Sequence, residues 1–322
     1  MSKESVKKFL RSQKRVLAVI VLIVVLSLFG EIFVGNFISV KQAFLTVKFA
    51  TFVALFGLCQ MVVVSSGRNA IDLSVGYVAT FSAILGCHFM QGSNRGLLFS
   101  ILLAVLAGAG LGLVNGLLIS YVNLSPLVVT MSVSTIIQGI INVYASGMSL
   151  DGSPAPVLTT LVTGTIKGTF PNIIFLLLFV MVIVHFLTKR VKFGQLVCGI
   201  GENSEAAYLS GVNVKLTRCI TFVISGIIAG LIGLILAGNM GMAYKDMGST
   251  YVMPSYAAIV VGGISLGGGE MDYVRVVLGA IFLQVLTNLF ILFGGGDAVK
   301  WFGYGAVLYV LLLFYANERK RN

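Results

Sequence analysis

Ten apolar runs follow one another along this chain, separated by short polar segments, and each is at or near the length that crosses a lipid bilayer. They are Arg15–Phe33, Val47–Ser65, Val75–Phe89, Gly96–Tyr121, Pro126–Tyr144, Asn172–Leu187, Cys219–Asn239, Pro254–Leu266, Val276–Phe293 and Trp301–Tyr315. A membrane helix needs about 20 mostly apolar residues. Charge content excludes the soluble alternative. Only 10% of the 322 residues are charged and 57% are hydrophobic, whereas a soluble domain carries about a quarter charged residues to face water. The expected fold is therefore all-α, a polytopic membrane protein with about ten transmembrane helices. The 38 glycines agree, because glycine lets membrane helices approach closely. The third and eighth runs are short and flanked by glycine, so one or two spans are expected to be broken or re-entrant. Membranes accept such backbone only where protein or a water-filled cavity covers it.

The cations set the expected orientation. With ten spans and both termini cytoplasmic, sixteen of the 22 Lys and Arg residues fall inside, which satisfies the positive-inside bias. Met1–Arg15 is basic and leads into Val16–Gly30 without a small-residue cleavage site after it, so it reads as a retained first span. The net charge of +11 follows this topology and forms no basic stripe interleaved with aromatics, so nucleic acid is not an expected partner. No stretch outside the membrane is long enough for a separate domain. Residues 1–322 read as a single membrane domain, with an outer loop at Ser146–Pro171 and a cytoplasmic segment at 188–218.

Chemistry of the enzymatic kind is not visible. There is no G-x-x-x-x-G-K-[ST] phosphate loop, no H-E-x-x-H pair, and the four cysteines have no paired spacing. The two histidines, His88 and His185, read as helix-end residues near headgroups. No metal, no cofactor and no catalytic residue are expected.

Three segments are unusual. In the cytoplasmic segment, Asn203 or Ser204 can cap a short helix, with Glu205 favourable in its first turn. Ala206 and Ala207 give that helix a low profile, and Gly211, after Ser210, stops it in left-handed geometry. It reads either as a docking knob for another protein or as a plain connector. At the mouth of the third span stands Asp72, expected to cap a helix or pair with Arg68 in preference to touching a solute. The eighth span closes on Gly262-Gly263-Ile264-Ser265-Leu266-Gly267-Gly268-Gly269, where glycine density frees the backbone to turn beside the membrane. Gly108, Gly112 and Gly116 recur at four-residue spacing, as do Gly226 and Gly230, a pattern for tight helix packing. Asn115 and Gln138 either line a polar route or bond between helices.

At these residues the chain resembles the permease subunits of bacterial ATP-binding-cassette importers for monosaccharides, of the ribose, xylose and galactose type. The resemblance runs from the first span to the C-terminus. It rests on Asp72-Leu73-Ser74-Val75-Gly76, on Asn115-Gly116, on Pro126 with Thr130, on Gly201–Val214 and on Gly262–Gly269, in that order. The resemblance implies a multi-pass protein of the bacterial cell membrane, working as a pair with a second copy or a related permease. It implies that cytoplasmic ATPase subunits, which bind the ATP, dock on the helix formed by Asn203, Glu205, Ala206, Ala207, Ser210 and Gly211. An extracytoplasmic binding protein is implied to deliver the sugar. Asp72, Ser74, Gly76, Asn115, Thr130, Gln138, Gly262, Gly263, Ser265 and Gly268 are then the candidates for the pathway and its helix breaks. Two departures stand out: Asn69-Ala70 where the family has a glycine pair, and Glu270–Arg275 where it has a glycine-rich turn. Permeases for branched-chain amino acids or nucleosides share the short cytoplasmic helix and remain alternatives. An ion-coupled secondary transporter is a more distant one, since only Asp72 comes near a mid-span acid.

Overall fold

A computed structural model describes residues 3–35, 37–67, 70–147, 152–294, 296, 298–300, 302–306 and 309. Its long elements are α1 (Lys3–Val34), α2 (Val40–Val64), α3 (Val75–Met90), α4 (Leu97–Ser120), α5 (Pro126–Gly147), α7 (Ile173–Arg190), α10 (Val214–Met240) and α12 (Tyr273–Leu292). Between them lie the shorter α6 (Pro156–Thr163), α8 (Lys192–Glu202), α9 (Ser204–Leu209) and α11 (Val252–Val261), and a two-residue antiparallel pair, Thr165–Ile166 with Phe170–Pro171. Among the described residues, seven helices are long and apolar enough to cross a membrane, and Val75–Met90 and Ser249–Val261 are shorter apolar helices. Nine of the ten expected spans thus have a helical counterpart, and the two short ones are those the sequence marked. Most of the tenth, Trp301–Tyr315, lies outside the described residues.

Local chemistry sets the ends. Ser39 accepts from the Gln42 N–H at the start of α2, Asn213 from Leu216 at the start of α10, and Asp272 from Arg275 at the start of α12. Each meets a backbone donor that the first turn cannot satisfy. Gly241, at φ 73°, ends α10 in left-handed geometry.

Two helices organise the bundle. α2 is the most enclosed, packed against α10, α11 and α12. α10 also crosses α4 along the predicted small-residue face. A Cβ at Gly108 would sit 2.1 Å from the Gly226 oxygen, one at Gly112 2.4 Å from the Phe222 oxygen, and one at Gly116 2.7 Å from the Cys219 oxygen. Three successive turns of α4 therefore lie backbone to backbone on α10. In lipid, where burial of apolar surface does not drive helices together, this contact and its dispersion energy hold the pair. The outer segment expected as a turn-rich cap contains α6 and the small strand pair. Leu158 and Val162 of α6 turn into the core beside Gly238 of α10.

Candidate functional site

The helix read from the sequence as a knob is α9. Asn203 is its cap, its Oδ1 accepting from the N–H of Glu205 (3.1 Å) and of Ala206 (2.9 Å). Ser210 Oγ donates to the Ala206 carbonyl, and Gly211 turns the chain out at φ 85°. Glu205, Ala206 and Ser210 are exposed and Ala207 is half-buried. Tyr208 and Leu209, exposed by 70% and 80%, project at its end. Beside them opens a cleft of about 730 Å³, lined by Ser120 and Asn123 from the end of α4, by Glu205 and Tyr208, and by Lys215 and Arg218 of α10. Two large apolar side chains on a short capped helix, next to an open polar cleft, form a surface suited to a protein partner.

Immediately before α9, three remote backbone segments meet at glycines. A Cβ at Gly201, near the end of α8, would lie 2.0 Å from the Ser65 oxygen and 2.4 Å from the Gly269 nitrogen. A Cβ at Gly268 would lie 2.6 Å from Gly67 Cα and 3.0 Å from Gly201 Cα. The Gly269 N–H donates to the Ser65 carbonyl at 3.0 Å, and Ser65 Oγ donates to the Glu270 carbonyl at 2.5 Å. The joint therefore ties the base of α9 to the end of α2 and to the turn after α11. Of the predicted break residues, Gly262, Gly263, Ser265 and Gly268 belong to that turn. Gly263, at φ 76°, offers its carbonyl to the buried Arg275 (3.2 Å). The Gly268 N–H donates to the Ser265 carbonyl. The departing segment Glu270–Arg275 has its own function here: Arg275 pairs with Asp272 (3.0 Å) and Glu270 (3.4 Å), locking the turn to the start of α12.

Asp72 is fully enclosed. Its Oδ1 accepts from the Ser74 N–H (3.0 Å) and Ser74 Oγ (2.5 Å), and its Oδ2 from Ser225 Oγ of α10 (3.0 Å). Asn115 of α4 donates to Ser74 Oγ (2.8 Å), and Gln60 of α2 donates to the Asp72 carbonyl (2.7 Å). Thr130 and Ser134 of α5 donate to the carbonyls of Ile71 (3.4 Å) and Leu73 (3.1 Å). Side chains of α2 and α5 thus satisfy backbone carbonyls of the non-helical segment leading into α3, and α4 and α10 bond its side chains, as such a segment requires inside a membrane protein. Asp72, Ser74, Asn115 and Thr130 form this scaffold; Ser74, not Asp72, is the residue that precedes α3, and the Asp72 carboxylate bonds the Ser74 N–H two residues on. The alternative pairing with Arg68, and the substitution Asn69, fall outside the described residues. Gly76 has another use. A Cβ there would sit 2.7 Å from the Gly248 oxygen, so α3 admits the 241–248 loop at this point.

Gln138 lies elsewhere, on α5. One face of α5, Val129, Val133, Ile137 and Ile141, is buried in the core. The opposite face carries Ser132, Thr135, Gly139 and Asn142, with Val128 among them at its start, all exposed and within one 80° sector at 100° per residue. Sequence reading picked Gln138 and Thr130 from this helix and missed that polar face, although its i, i+3, i+7, i+10 spacing was present to be counted. An amide facing hydrocarbon costs about 4–8 kcal/mol by water-to-cyclohexane transfer. The face is therefore one for water or for another protein surface. Among the described residues, no group of three His, Cys, Asp or Glu side chains could hold a metal ion.

Over residues 43–316 the chain matches the family described as branched-chain amino acid transport system / permease component. Curated relatives align over most of their length. The galactose/methyl galactoside import permease protein of Escherichia coli K12 is 30% identical over 74% of this chain and 79% of its own. The D-allose transport system permease protein of the same strain is 27% identical over 83% and 81%. The ribose import permease protein of Haemophilus influenzae is 27% identical over 87% and 85%. No solved structure matches the chain.

Proposed function

The chain belongs to the family of branched-chain amino acid transport system permease components, and from that premise we propose that it is the membrane-spanning subunit of an ATP-driven importer for a monosaccharide. The observation that carries the sugar reading is the agreement of relatives named for galactose, allose and ribose across most of the chain. The solute moves along the polar face of α5, which a second copy or a related permease closes from the opposite side. Cytoplasmic ATPase subunits seat α9 and its cleft, and an extracytoplasmic binding protein supplies the solute.

The physical logic is a division of labour. The chain has no phosphate loop of its own, so its motive force has to arrive through a contact. α9 is exposed, rigidly capped and joined through Gly201 to the ends of α2 and the turn after α11. A push on α9 is thereby delivered to backbone that borders the membrane-embedded breaks. Coupling through a rigid element with close-packed contacts requires no long-range charge effect.

The test is reconstitution of the chain in liposomes with an ATPase and a binding protein of the same type of importer. ATP-dependent accumulation of D-galactose, D-allose or D-ribose is expected. Accumulation of L-leucine instead would move the protein to the amino-acid branch that the family description names. Uptake driven by an ion gradient without the ATPase would make it a secondary transporter. Glu205→Lys reverses the charge on the knob, and Gly211→Pro cannot adopt φ 85° because proline is held near −65°. Both variants should insert normally and lose coupling. Normal uptake by both would reject the docking role of α9.

A further inference from the structure

The 241–248 loop does not stay at the end of α10. Gly248 N–H donates to Thr80 Oγ1 (3.0 Å), and a Cβ at Gly248 would lie 2.2 Å from the Gly76 oxygen, so the loop reaches the first turns of α3. A Cβ at Gly233 of α10 would lie 2.0 Å from the Ala79 oxygen at the same level of α3. Gly233 stands seven residues before the end of α10, or about 10 Å at 1.5 Å per residue. The loop therefore folds back by about that depth before α11 begins. This is non-helical backbone at the depth of the spans, which is tolerated where protein buries it or it lines an aqueous cavity. Discontinuous helices of this kind mark solute sites in transporters.

At the bottom of the dip the loop presents Asp246, exposed, its backbone turned into the left-handed region at φ 62°. Gln138 of α5 brings its Nε2 within 3.4 Å of Asp246 Oδ1 and 3.1 Å of the Tyr77 hydroxyl of α3. Ser249 Oγ holds the Asp246 carbonyl at 2.7 Å, which fixes the backbone and leaves the carboxylate facing out. Gln138 and Tyr77 are half-buried, and the exposed Thr135, Gly139 and Asn142 continue along α5 beside them.

Resting on the sugar-import reading, we propose that Tyr77, Gln138 and Asp246 form a transient binding station for the hydroxyl groups of a neutral polyol within the pathway. A carboxylate accepts from two adjacent hydroxyls, an amide offers one acceptor and two donors, and a phenol serves as either. That set pairs with vicinal hydroxyls, each of which donates and accepts. The 3.4 Å contact between Gln138 and Asp246 is longer than a normal hydrogen bond, so a solute hydroxyl replaces it with little loss. A pathway site must be good enough to enter and weak enough to leave, and three shared polar groups, with Asp246 exposed, meet that condition.

The experiment uses the complete complex in liposomes, with saturating loaded binding protein and radiolabelled D-galactose, D-allose and D-ribose in separate arms. Asp246→Asn and Gln138→Ala should each lower uptake by about tenfold or more, the usual consequence of removing a hydrogen bond to a charged group. Asp246→Glu should restore most of it, and ATPase stimulation and thermal stability of the purified complex should hold throughout. A deoxy analogue that lacks the bonded hydroxyl should narrow the gap between wild type and Asp246→Asn. Wild-type uptake in Asp246→Asn and Gln138→Ala would overturn the station alone. Loss of ATPase stimulation or stability in step with uptake would also overturn it, assigning the three residues to packing. Absence of any monosaccharide uptake by the wild-type complex, with L-leucine carried in its place, would overturn the sugar reading and the station with it.

Discussion

Replacing Gly201 by alanine puts a methyl carbon 2.0 Å from the Ser65 oxygen and 2.4 Å from the Gly269 nitrogen. Ordinary contact begins near 3.4 Å, so α8 must retreat by more than an ångström or the two opposing segments must part. Both obstacles are backbone, and they are bonded to one another (Gly269 N–H to Ser65 O, 3.0 Å), so no side chain can swing aside. Overpacking of this kind costs about 1–3 kcal/mol, and losing the bond adds about 0.5–1.5 kcal/mol. At 1.4 kcal/mol per tenfold, a total of about 1.5–4.5 kcal/mol shifts the balance between seated and unseated α8 roughly 10- to 1,600-fold. Gly199, two residues earlier on the same helix, meets nothing within 4 Å, and alanine there should gain up to about 1 kcal/mol of helix propensity. Hydrogen exchange of the peptide containing Gly269 reads the joint directly. It should accelerate in Gly201→Ala and not in Gly199→Ala, with ATPase coupling falling only in the former. Equal exchange and equal coupling in the two variants would refute the claim that α9 acts through this joint.

Asn203→Ala should fray α9 by about 1 kcal/mol, because two N–H groups lose their acceptor, whereas Asn203→Asp keeps it; ATPase-subunit affinity measured by titration should fall only for the alanine variant. Gly112→Val should separate α4 from α10, since even a methyl there meets the Phe222 oxygen at 2.4 Å, while a methyl at Gly110 meets nothing within 4 Å; thermal unfolding in detergent should drop sharply for Gly112→Val and little for Gly110→Val. Of the four cysteines, Cys59, Cys87 and Cys219 are buried and Cys198 is partly exposed. A membrane-impermeant maleimide should therefore label Cys198 alone, and from the cytoplasmic face; labelling from outside would invert the topology and turn α9 away from any nucleotide.

Much of this protein could be read without coordinates, because the controlling physics is local. Scarcity of charge and the recurrence of apolar runs select a membrane-spanning helical chain, since only intra-segment hydrogen bonding survives in hydrocarbon. Asn203 and Gly211 bracket α9 by side-chain acceptance and positive φ, both properties of single residues, and the structure has them in those roles. The four-residue glycine spacing on α4 and α10 predicts a close face, and the two faces meet. What the linear pattern could not contain is which distant backbones share a point. Ser65, Gly201 and Gly269 are separated by more than 60 residues each, and the pairing exists because Gly201 has no Cβ to meet the Ser65 oxygen and the Gly269 nitrogen. The depth of the 241–248 loop is likewise a property of two glycines together, Gly76 and Gly248, each admitting the other's carbonyl. Read alone, Asp246 is an acid in a loop outside the membrane. Tertiary structure carries it back to Tyr77 and Gln138, because periodicity records which residues share a helix face and says nothing of how far a loop between helices descends.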